Sequence, residues 1–316
     1  MEKRNLGKTD LTVAPIVLGG NVFGWTIDEK ESFAVLDAFI DQGFNAIDTA
    51  DSYSRWVPGH KGGESETIIG KWLKARPGMR DRVVIFTKVA SDLGGDRKGL
   101  SARWIAQAAE DSLSRLGIEK IDLYFSHWFD PDTPFQETLE AYDRLIRAGK
   151  VGVIGASNHD ATQLEDALRV SVKHGLPLYQ ALQPGYNLYS RMPFEGPLRD
   201  LCIRENLGVV PYFALAAGFL TGKYRSKADL GKSARGAGVE KYLDDRGIAI
   251  LDALQTAANR HGATQAEIAL AWLMAQPGIT APIASATSIG HVDSFARAAT
   301  LKLDPDDLEL LDGASR

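Results

Sequence analysis

Asp48, Tyr53, Lys88 and His127 have side chains that can move protons, and each stands at or just after the end of a short apolar run. Taken singly, each has an ordinary explanation. An Asp at such a position is more often a turn former or a helix cap, and a lone Lys or His is more often a solvated or structural residue. The four follow three successive apolar runs, however, so an architecture that gathers run ends would place them in one site. The elements that carry them therefore decide the chemistry.

Short apolar segments rich in Val and Ile alternate along the chain with segments of helical periodicity. The candidate strands are 15–18, 45–48, 83–88, 121–125, 151–155, 181–183, 209–212 and 281–284. The candidate helices are 31–42, 64–74, 101–116, 134–148, 161–173, 196–206 and 248–274, the last divided at His261-Gly262. Apolar strands that are each followed by a helix indicate a parallel sheet covered by helices, and eight such units favour a (β/α)8 TIM barrel.

The rest of the chain fits one barrel domain over residues 1–316. Two short segments, 4–6 and 11–13, flank Gly7-Lys8-Thr9-Asp10 and predict a hairpin before the barrel, and extra helices are expected near the C-terminus. An open doubly wound sheet is the alternative fold. Its nucleotide-binding fingerprint would be Gly-x-Gly-x-x-Gly after the first strand, but the chain there reads Leu18-Gly19-Gly20-Asn21-Val22-Phe23-Gly24.

Polar groups close the second to seventh predicted strands, which is where the chemistry of such a barrel gathers. They are Asp48 with Tyr53 close behind, Thr87-Lys88, Ser126-His127-Trp128, Ser157-Asn158, Gln183 followed by Tyr186-Asn187, and Tyr212. A barrel metallohydrolase using His127, Asp48 and Asp51 is a second hypothesis. It lacks a second histidine at a strand end, because the other five lie in predicted loops or helices. No metal is therefore expected.

The composition of the chain limits which classes of binding partner are expected. The net charge of −5 and the scattered basic residues argue against nucleic acid as a main partner, so a small-molecule substrate is expected. Cys202 is the only cysteine, so no intrachain disulfide forms, and the first residues lack the apolar core of a signal peptide. These features predict a cytoplasmic protein. No apolar run approaches the roughly 18 to 20 residues that span a bilayer.

An ordered set of motifs, covering nearly the whole chain, resembles the aldo-keto reductase family. The motifs are Asp48-Thr49-Ala50-x-x-Tyr53, Phe86-Thr87-Lys88, Ile121-Asp122-Leu123-Tyr124-x-x-His127, Gly155-x-Ser157-Asn158, Gln183-x-x-Tyr186-Asn187 and Gly218-x-Leu220-Thr221-Gly222-Lys223-Tyr224. The resemblance implies a (β/α)8 barrel that binds a nicotinamide cofactor in extended form without a Rossmann domain. It also accounts for the missing Gly-rich fingerprint.

The resemblance implies hydride transfer to a carbonyl carbon, with Tyr53 protonating the carbonyl oxygen. A free phenol has a pKa of about 10, too high for efficient acid and base catalysis near neutral pH. A lysine cation about 4 Å away favours the phenolate by up to about 4 kcal/mol at an effective dielectric constant near 20, although burial opposes this. Asp48 would keep Lys88 charged, and His127 would orient the carbonyl and support the developing oxyanion.

Cofactor contacts carry over in the same way. Asn158 and Gln183 resemble the family's carboxamide binders, Ser157 belongs to the same motif, and Tyr212 matches the aromatic residue that stacks on the nicotinamide ring. A glycine-rich loop would wrap the pyrophosphate through Leu215, Gly218, Leu220, Gly222 and Lys223.

The last cofactor segment departs from the basic pattern of family members that prefer NADP. It offers only hydroxyl groups and one imidazole, from Ser285, Thr287, Ser288 and His291. Hydroxyl groups before a helix N-terminus can hold a phosphate, so the sequence predicts NADP(H), with NAD(H) as the alternative.

The segment after Tyr53, "SRWVPGHKGGESE", is longer than the usual link in the family. Trp25, Trp56, Trp128 and Phe129 are expected to line an aromatic pocket for a hydrophobic or ring-shaped carbonyl compound. Asp51 is interpreted as a solvent-facing turn residue. The competing hypothesis is a non-enzymatic or weakly active nicotinamide-binding subunit of a larger assembly, as potassium-channel β-subunits resemble reductases.

Overall fold

The computed structural model describes residues 1–316, and its centre is a parallel eight-stranded sheet. A hairpin of β1 (Arg4–Asn5) and β2 (Thr12–Val13) precedes it. The sheet strands are β3 (Val17–Gly19), β4 (Ala46–Asp48), β5 (Val84–Val89), β6 (Ile121–Ser126), β7 (Val151–Ser157), β8 (Ala181–Gln183), β9 (Gly208–Val209) and β10 (Ile283–Ala284). They pair in chain order, with β10 beside β3. Backbone hydrogen bonds from Ile283 to Pro211 (2.8 Å) and from Thr280 to Val209 (2.9 Å) join the remaining edges. The predicted (β/α)8 barrel with its N-terminal hairpin is confirmed.

Ten helices surround the sheet. They are α1 (Glu29–Asp41), α2 (Glu64–Ala75), α3 (Ala102–Leu116), α4 (Phe135–Arg147), α5 (Ala161–His174), α6 (Pro197–Glu205), α7 (Asp245–His261), α8 (Gln265–Ala275), α9 (Ile289–Thr300) and α10 (Pro305–Ser315). Local signals set several ends: the Asp28 side chain caps α1, and α7 stops where Gly262 turns left-handed (φ 58°). The extra helix α10 packs against α7. No helix combines the length and apolarity needed to cross a membrane.

The hairpin closes the amino-terminal end of the barrel. Leu6 and Val13 are fully buried and belong to a small apolar cluster with the inward-facing strand residues Val17, Phe86 and Leu123. A Cβ atom on Gly208 would lie 2.6 Å from a Leu6 methyl carbon, so the hairpin packs directly onto β9. With this end plugged by side chains, ligands can enter only at the opposite, carboxyl-terminal end.

A long connection separates β9 from α7 and lies beside that open end. It contains three 3₁₀ segments, Ala216–Thr221, Lys227–Lys232 and Gly236–Tyr242. Ala217 (φ 57°) and Gly218 (φ 97°) are left-handed and bend the first segment back on itself. We call residues 215–242 the strap. The sequence predicted its glycine-rich start as a loop and gave no signal for the 3₁₀ turns that follow.

Candidate active site

A cavity of about 1400 Å³ opens at the carboxyl-terminal ends of the strands. Residues of all eight sheet strands or their following turns line it, together with residues of the strap and α9. The residues at the barrel end are Gly19, Asp48, Tyr53, His127, Ser157, Asn158, Gln183 and Tyr212. The strand ends that the sequence singled out therefore do converge on one cleft.

Lys88 joins the carboxylate and the phenol at the floor of this cleft. Its Nζ donates to Asp48 Oδ2 (2.8 Å), to the backbone oxygen of Thr49 (2.7 Å) and to Tyr53 Oη (2.8 Å). Tyr53 Oη in turn donates to Asp48 Oδ2 over 3.1 Å, and Gln183 Nε2 donates to Asp48 Oδ1 over 2.8 Å. The Lys88 and Asp48 side chains are almost completely buried, so both charges are withdrawn from water.

Backbone geometry sets these positions. Asp48 is the last residue of β4, and Lys88 lies one strand away in β5, where Asp48 is paired with Phe86. The turn after β4 brings Tyr53 back over Lys88, and its next residue, Ser54, is left-handed (φ 69°). Ser54 Oγ donates to the Phe23 backbone oxygen over 2.8 Å, which ties the turn to the neighbouring loop.

The charges around Tyr53 nearly cancel. Lys88 at 2.8 Å favours the phenolate by about 6 kcal/mol at an effective dielectric constant near 20, and Asp48 at 3.1 Å opposes it by about 5 kcal/mol. Burial, followed by Asp48, raises the pKa of Tyr53 well above its ordinary value. The cation of Lys88 acts in the expected direction, and burial together with Asp48 opposes it. At neutral pH Tyr53 therefore carries the proton that a general acid must donate.

Two opposing effects act on the pKa of Lys88. Burial lowers the pKa of its ammonium group, while the Asp48 carboxylate acts to raise it. Without Asp48 only burial and weaker, more distant charges would remain, and the lysine would lose its proton more easily.

His127 faces Tyr53 across the cleft, with 6.1 Å between ring centroids. Its backbone N–H donates to Val89 (2.8 Å), and its backbone oxygen accepts from Asn158 Nδ2 (2.8 Å). Burial, followed by the charge of Lys88, lowers the pKa of His127 well below its ordinary value, so the ring is neutral at neutral pH. Nδ1 lies 3.0 Å from Ser91 Oγ, and when that hydroxyl donates, the histidine proton is on Nε2.

Most of the predicted cofactor residues line the same cleft. These are Ser157, Asn158, Gln183, Tyr212, Leu215, Gly218, Lys223, Ser285, Thr287 and His291. Three do not: Leu220 is fully buried in the core, Gly222 packs against Gln265, and Ser288 is the residue that precedes α9. These three lie outside the lining of the cleft, and their contact with the cofactor stays a prediction.

Two unpaired cations stand at the far end of the cleft. Lys223 and Arg235 line it, and neither side chain takes part in an ion pair. Burial, followed by the charges of Lys223 and Arg235, lowers the pKa of His291, which lines the same cleft. Sequence reasoning missed Arg235. The only signal was a basic residue between small residues, Ala234 and Gly236, and the strap's course could not be read from it.

Three tryptophans line the cleft, and the guanidinium carbon of Arg235 lies 5.9 Å from the ring centroid of one of them, Trp25. Trp25 and Trp56 meet edge to face at 5.3 Å, and Trp128 stacks on His127 at 5.6 Å. Trp56 and Trp128 are each about half exposed (50% and 49%), which leaves their faces free to meet a ligand. Phe213, half exposed and two residues before the strap, also lines the cleft and was not predicted.

Phe129 and Asp51 are two predictions that the structure contradicts. The Phe129 ring packs against Phe135 (5.6 Å) and His159 (5.8 Å) and does not line the cleft, because the chain turns away after Trp128. Asp51 is 1% exposed and lies beneath the Tyr53 turn, so it does not face solvent. Asp48 is occupied by Lys88, Tyr53 and Gln183, and no His, Cys, Asp and Glu side chains form a metal-binding group.

A closed (β/α)8 barrel with a buried Asp–Lys–Tyr group at its open end is an enzyme scaffold, and comparison with known proteins supplies its class. Residues 15–316 match the family described as the Aldo/keto reductase family. The chain therefore belongs to the aldo/keto reductase family and is an oxidoreductase.

Three relatives match nearly all of the chain. An uncharacterised oxidoreductase of Bacillus subtilis, YrpG, is 34% identical over 98% of this chain and 95% of its own length. The versiconal hemiacetal acetate reductase of Aspergillus parasiticus is 29% identical over 99% and 96%. A probable voltage-gated potassium channel subunit beta of Oryza sativa subsp. japonica is 32% identical over 92% and 89%.

Proposed function

We propose that this protein transfers a hydride between NADP(H) and the carbonyl or alcohol carbon of an aldehyde or ketone, with Tyr53 as the general acid and base. The observation that carries the proposal is the contact of Lys88 Nζ with both Tyr53 Oη and Asp48 Oδ2, at 2.8 Å each, on the floor of a large cleft. That contact brings a protonated phenol beside the cation that would stabilise the phenolate formed after proton transfer.

The cofactor, when bound, supplies or accepts the hydride. In reduction the carbonyl carbon gains that hydride, and the carbonyl oxygen takes the proton of Tyr53. Tyr53 then becomes a phenolate that keeps its hydrogen bond from Lys88 Nζ. Neutral His127 donates from Nε2 to the oxygen while charge develops on it, because its Nδ1 is occupied by Ser91. In the reverse direction the phenolate takes the alcohol proton.

The residues that would hold the nicotinamide end are already ordered by bonds to one another. Tyr212 Oη donates to Asn158 Oδ1 over 2.6 Å, and Asn158 Nδ2 is held by His127. Gln183 Nε2 is used by Asp48, which leaves its amide oxygen to accept from a carboxamide. The same amide therefore links the cofactor end of the site to the catalytic carboxylate.

Two unpaired cations support NADP(H) over NAD(H). An extra ribose phosphate would meet Lys223 and Arg235, which have no carboxylate partner, together with the hydroxyl group of Thr287. Each charged hydrogen bond contributes roughly 1.5 to 3 kcal/mol, or about 10- to 100-fold in affinity.

Steady-state kinetics with both cofactors tests this preference. We expect Arg235→Ala and Lys223→Ala each to lower the catalytic efficiency with NADPH by about 10-fold or more, with little change for NADH. Lys227→Ala, an exposed strap lysine paired with Glu240, is the matched control. A wild-type preference for NADH, or equal losses with both cofactors, would overturn the assignment.

NADPH consumption across a panel of aldehydes and ketones tests the reaction itself. Removal of a general acid costs about 10²- to 10⁴-fold, so Tyr53→Phe should lose turnover while cofactor fluorescence still reports binding. Tyr179→Phe is the control, since it removes a buried hydroxyl bonded to Ser126 outside the cleft. Absence of turnover on every carbonyl, with Tyr53→Phe indistinguishable from wild type, would refute the proposal.

The aromatic entrance favours a ring-shaped, apolar carbonyl compound. Trp56 flanks Tyr53 at 6.3 Å and Trp128 flanks His127, so indole faces stand on both sides of the point where the carbonyl oxygen would bind. We expect Trp56→Ala and Trp128→Ala to raise KM for aryl aldehydes more than for short aliphatic aldehydes. Equal effects on both classes would contradict stacking.

The channel-subunit relative supports one alternative, a nicotinamide-binding partner with little or no turnover. Such a role predicts tight NADPH binding without carbonyl reduction. The carbonyl panel above separates the two functions, because only the enzyme depends on the Tyr53 hydroxyl.

A further inference from the structure

Five carboxyl groups are buried in this protein, and only Asp51 has no ion-pair partner. The four paired acids are Asp48 with Lys88, Glu66 with Arg115, Glu267 with Arg297, and Asp307 with Arg260. Neither carboxyl oxygen of Asp51 has a hydrogen-bond partner. The backbone N–H of Ser52 acts to lower the pKa of Asp51 but does not meet hydrogen-bonding geometry.

Titratable groups face Asp51 from every element packed around it. They are Tyr53 in its own turn, Glu66 of α2, Lys88 of β5, Arg115 of α3, Tyr124 of β6 and Tyr142 of α4. The Tyr124 hydroxyl is also buried without a partner. Asp51 therefore lies in the layer directly behind the catalytic group, between the barrel and its outer helices.

The two cations of this layer are committed to other acids. All three hydrogens of Lys88 Nζ are used, by Asp48, Thr49 and Tyr53. Arg115 Nε donates to Glu66 over 2.7 Å, and a Cβ atom on Gly63 would lie only 2.5 Å from the Arg115 side chain. The absence of that Cβ leaves space for Arg115 against Glu66, and Arg115 forms no hydrogen bond with Asp51.

Charge balance then favours a proton on Asp51. Lys88 and Arg115 offset Asp48 and Glu66, so an ionised Asp51 would leave one buried negative charge without a partner, which is costly. Burial, followed by the charge of Glu66, raises the pKa of Asp51 well above its ordinary value. Lys88 and Arg115 act in the other direction but form no hydrogen bond with it.

We propose that Asp51 is a protonated carboxylic acid at neutral pH, a positioning residue that leaves Lys88 balanced by Asp48 alone and so keeps Tyr53 able to release its proton. Its catalytic part rests on the proposed function, whereas the protonation state does not. In alkaline solution Asp51 ionises and adds negative charge behind Lys88. Tyr53 then holds its proton more tightly, because a nearby negative charge disfavours the phenolate.

Two measurements test whether Asp51 carries a proton in the folded protein, and neither needs an assay of activity. In the infrared difference spectrum of wild type minus Asp51→Asn at neutral pH, we expect the carbonyl band of a protonated carboxylic acid, since the other buried acids are ion-paired. Wild type should also release one more proton than Asp51→Asn on unfolding at pH 7, because the unfolded aspartate ionises. No band and equal proton release would overturn the proposal.

If Asp51→Asn does not fold, the infrared titration of wild type alone decides whether Asp51 is protonated. The carbonyl band should be present at neutral pH and disappear in alkaline solution, and its absence at neutral pH would refute the inference. Asp10→Asn, an exposed turn residue of the hairpin, is the control for both measurements.

The pH profile of turnover tests the catalytic part. The readout is the shape of the pH profile of Asp51→Asn beside that of wild type, because at neutral pH the substitution replaces a neutral group by a neutral group. The alkaline limb of the Asp51→Asn profile should move to lower pH. The variant lacks the negative charge that Asp51 gains in alkaline solution, and in wild type that charge holds the proton on Tyr53. An unchanged alkaline limb would contradict the positioning role. A wild type without turnover would refute the proposed function and leave the two proton measurements intact.

Discussion

Lys88→Met gives the sharpest test of the buried ion pair, when it is combined with Asp48→Asn in a double-mutant cycle. Met is similar in length to Lys but uncharged, so Lys88→Met leaves the Asp48 carboxylate buried without its cation. Removing one partner of a buried pair destabilises a protein by about 3 to 5 kcal/mol, whereas replacing both charges is often close to neutral. We expect that range for each single variant, because both side chains are at most 2% exposed.

The double variant should recover most of the loss. The amide oxygen introduced by Asp48→Asn would still accept from Gln183, and no uncompensated charge would remain, so the double variant should be closer to wild type than either single variant. The assay is urea unfolding at pH 7, with the coupling energy taken from the four free energies of unfolding. Turnover is expected to be lost in all three variants and does not enter the cycle. Additive destabilisation, at about 6 to 10 kcal/mol for the double variant, would refute this view of the pair.

Three further changes test other parts of the structure. Burial favours the neutral acid of Asp307, but hydrogen bonds led by that from His261 hold its pKa below the ordinary value. The stability from this group is present above the unfolded pKa of about 4 and is lost as pH falls through the folded pKa. Asp307→Asn should therefore destabilise the protein at pH 7 and lose its effect in acid; the same effect at both values would contradict this. Leu6→Ala should cost about 2 to 5 kcal/mol in thermal or urea unfolding, because Leu6 fills the closed end of the barrel, and a cost near zero would show that the hairpin is not part of the core. Gly63→Ala should destabilise the protein by displacing the Arg115 side chain, so the same substitution should cost less in an Arg115→Ala background; an equal cost in both backgrounds would exclude this clash.

Local sequence signals located the elements well. The helix predicted at 64–74 is Glu64–Ala75, and the one predicted at 196–206 is Pro197–Glu205. The first helix begins two residues earlier than predicted, because Asp28 and Glu31 form a capping box. The strand predicted at 209–212 is shorter, and Tyr212 makes only an isolated bridge to Gly185. Short-range patterns decide such elements, so one chain is enough to read them.

Side-chain surroundings were less predictable than elements. The convergence of Asp48, Lys88 and His127 followed from the alternation of strands and helices, since a closed barrel sends every strand end to the same rim. The position of Arg235 depends on a strap that bends through left-handed residues, and no periodicity reports that path. Phe129 follows Trp128 directly, yet the two rings separate where the chain turns: Trp128 lines the cleft, and Phe129 packs against Phe135.

Asp51 shows the difference between what the sequence determined and what only the tertiary structure decided. The sequence by itself determined the barrel, its hairpin and the set of polar strand ends, because these depend on periodicity and on local turns. Whether a carboxyl group beside Tyr53 meets water, a cation or neither depends on α2 and α3, which deliver Glu66 and Arg115 from elsewhere in the chain. Burial and charge are sums over such distant neighbours, so only the folded chain could turn a predicted surface residue into a buried acid close to Lys88.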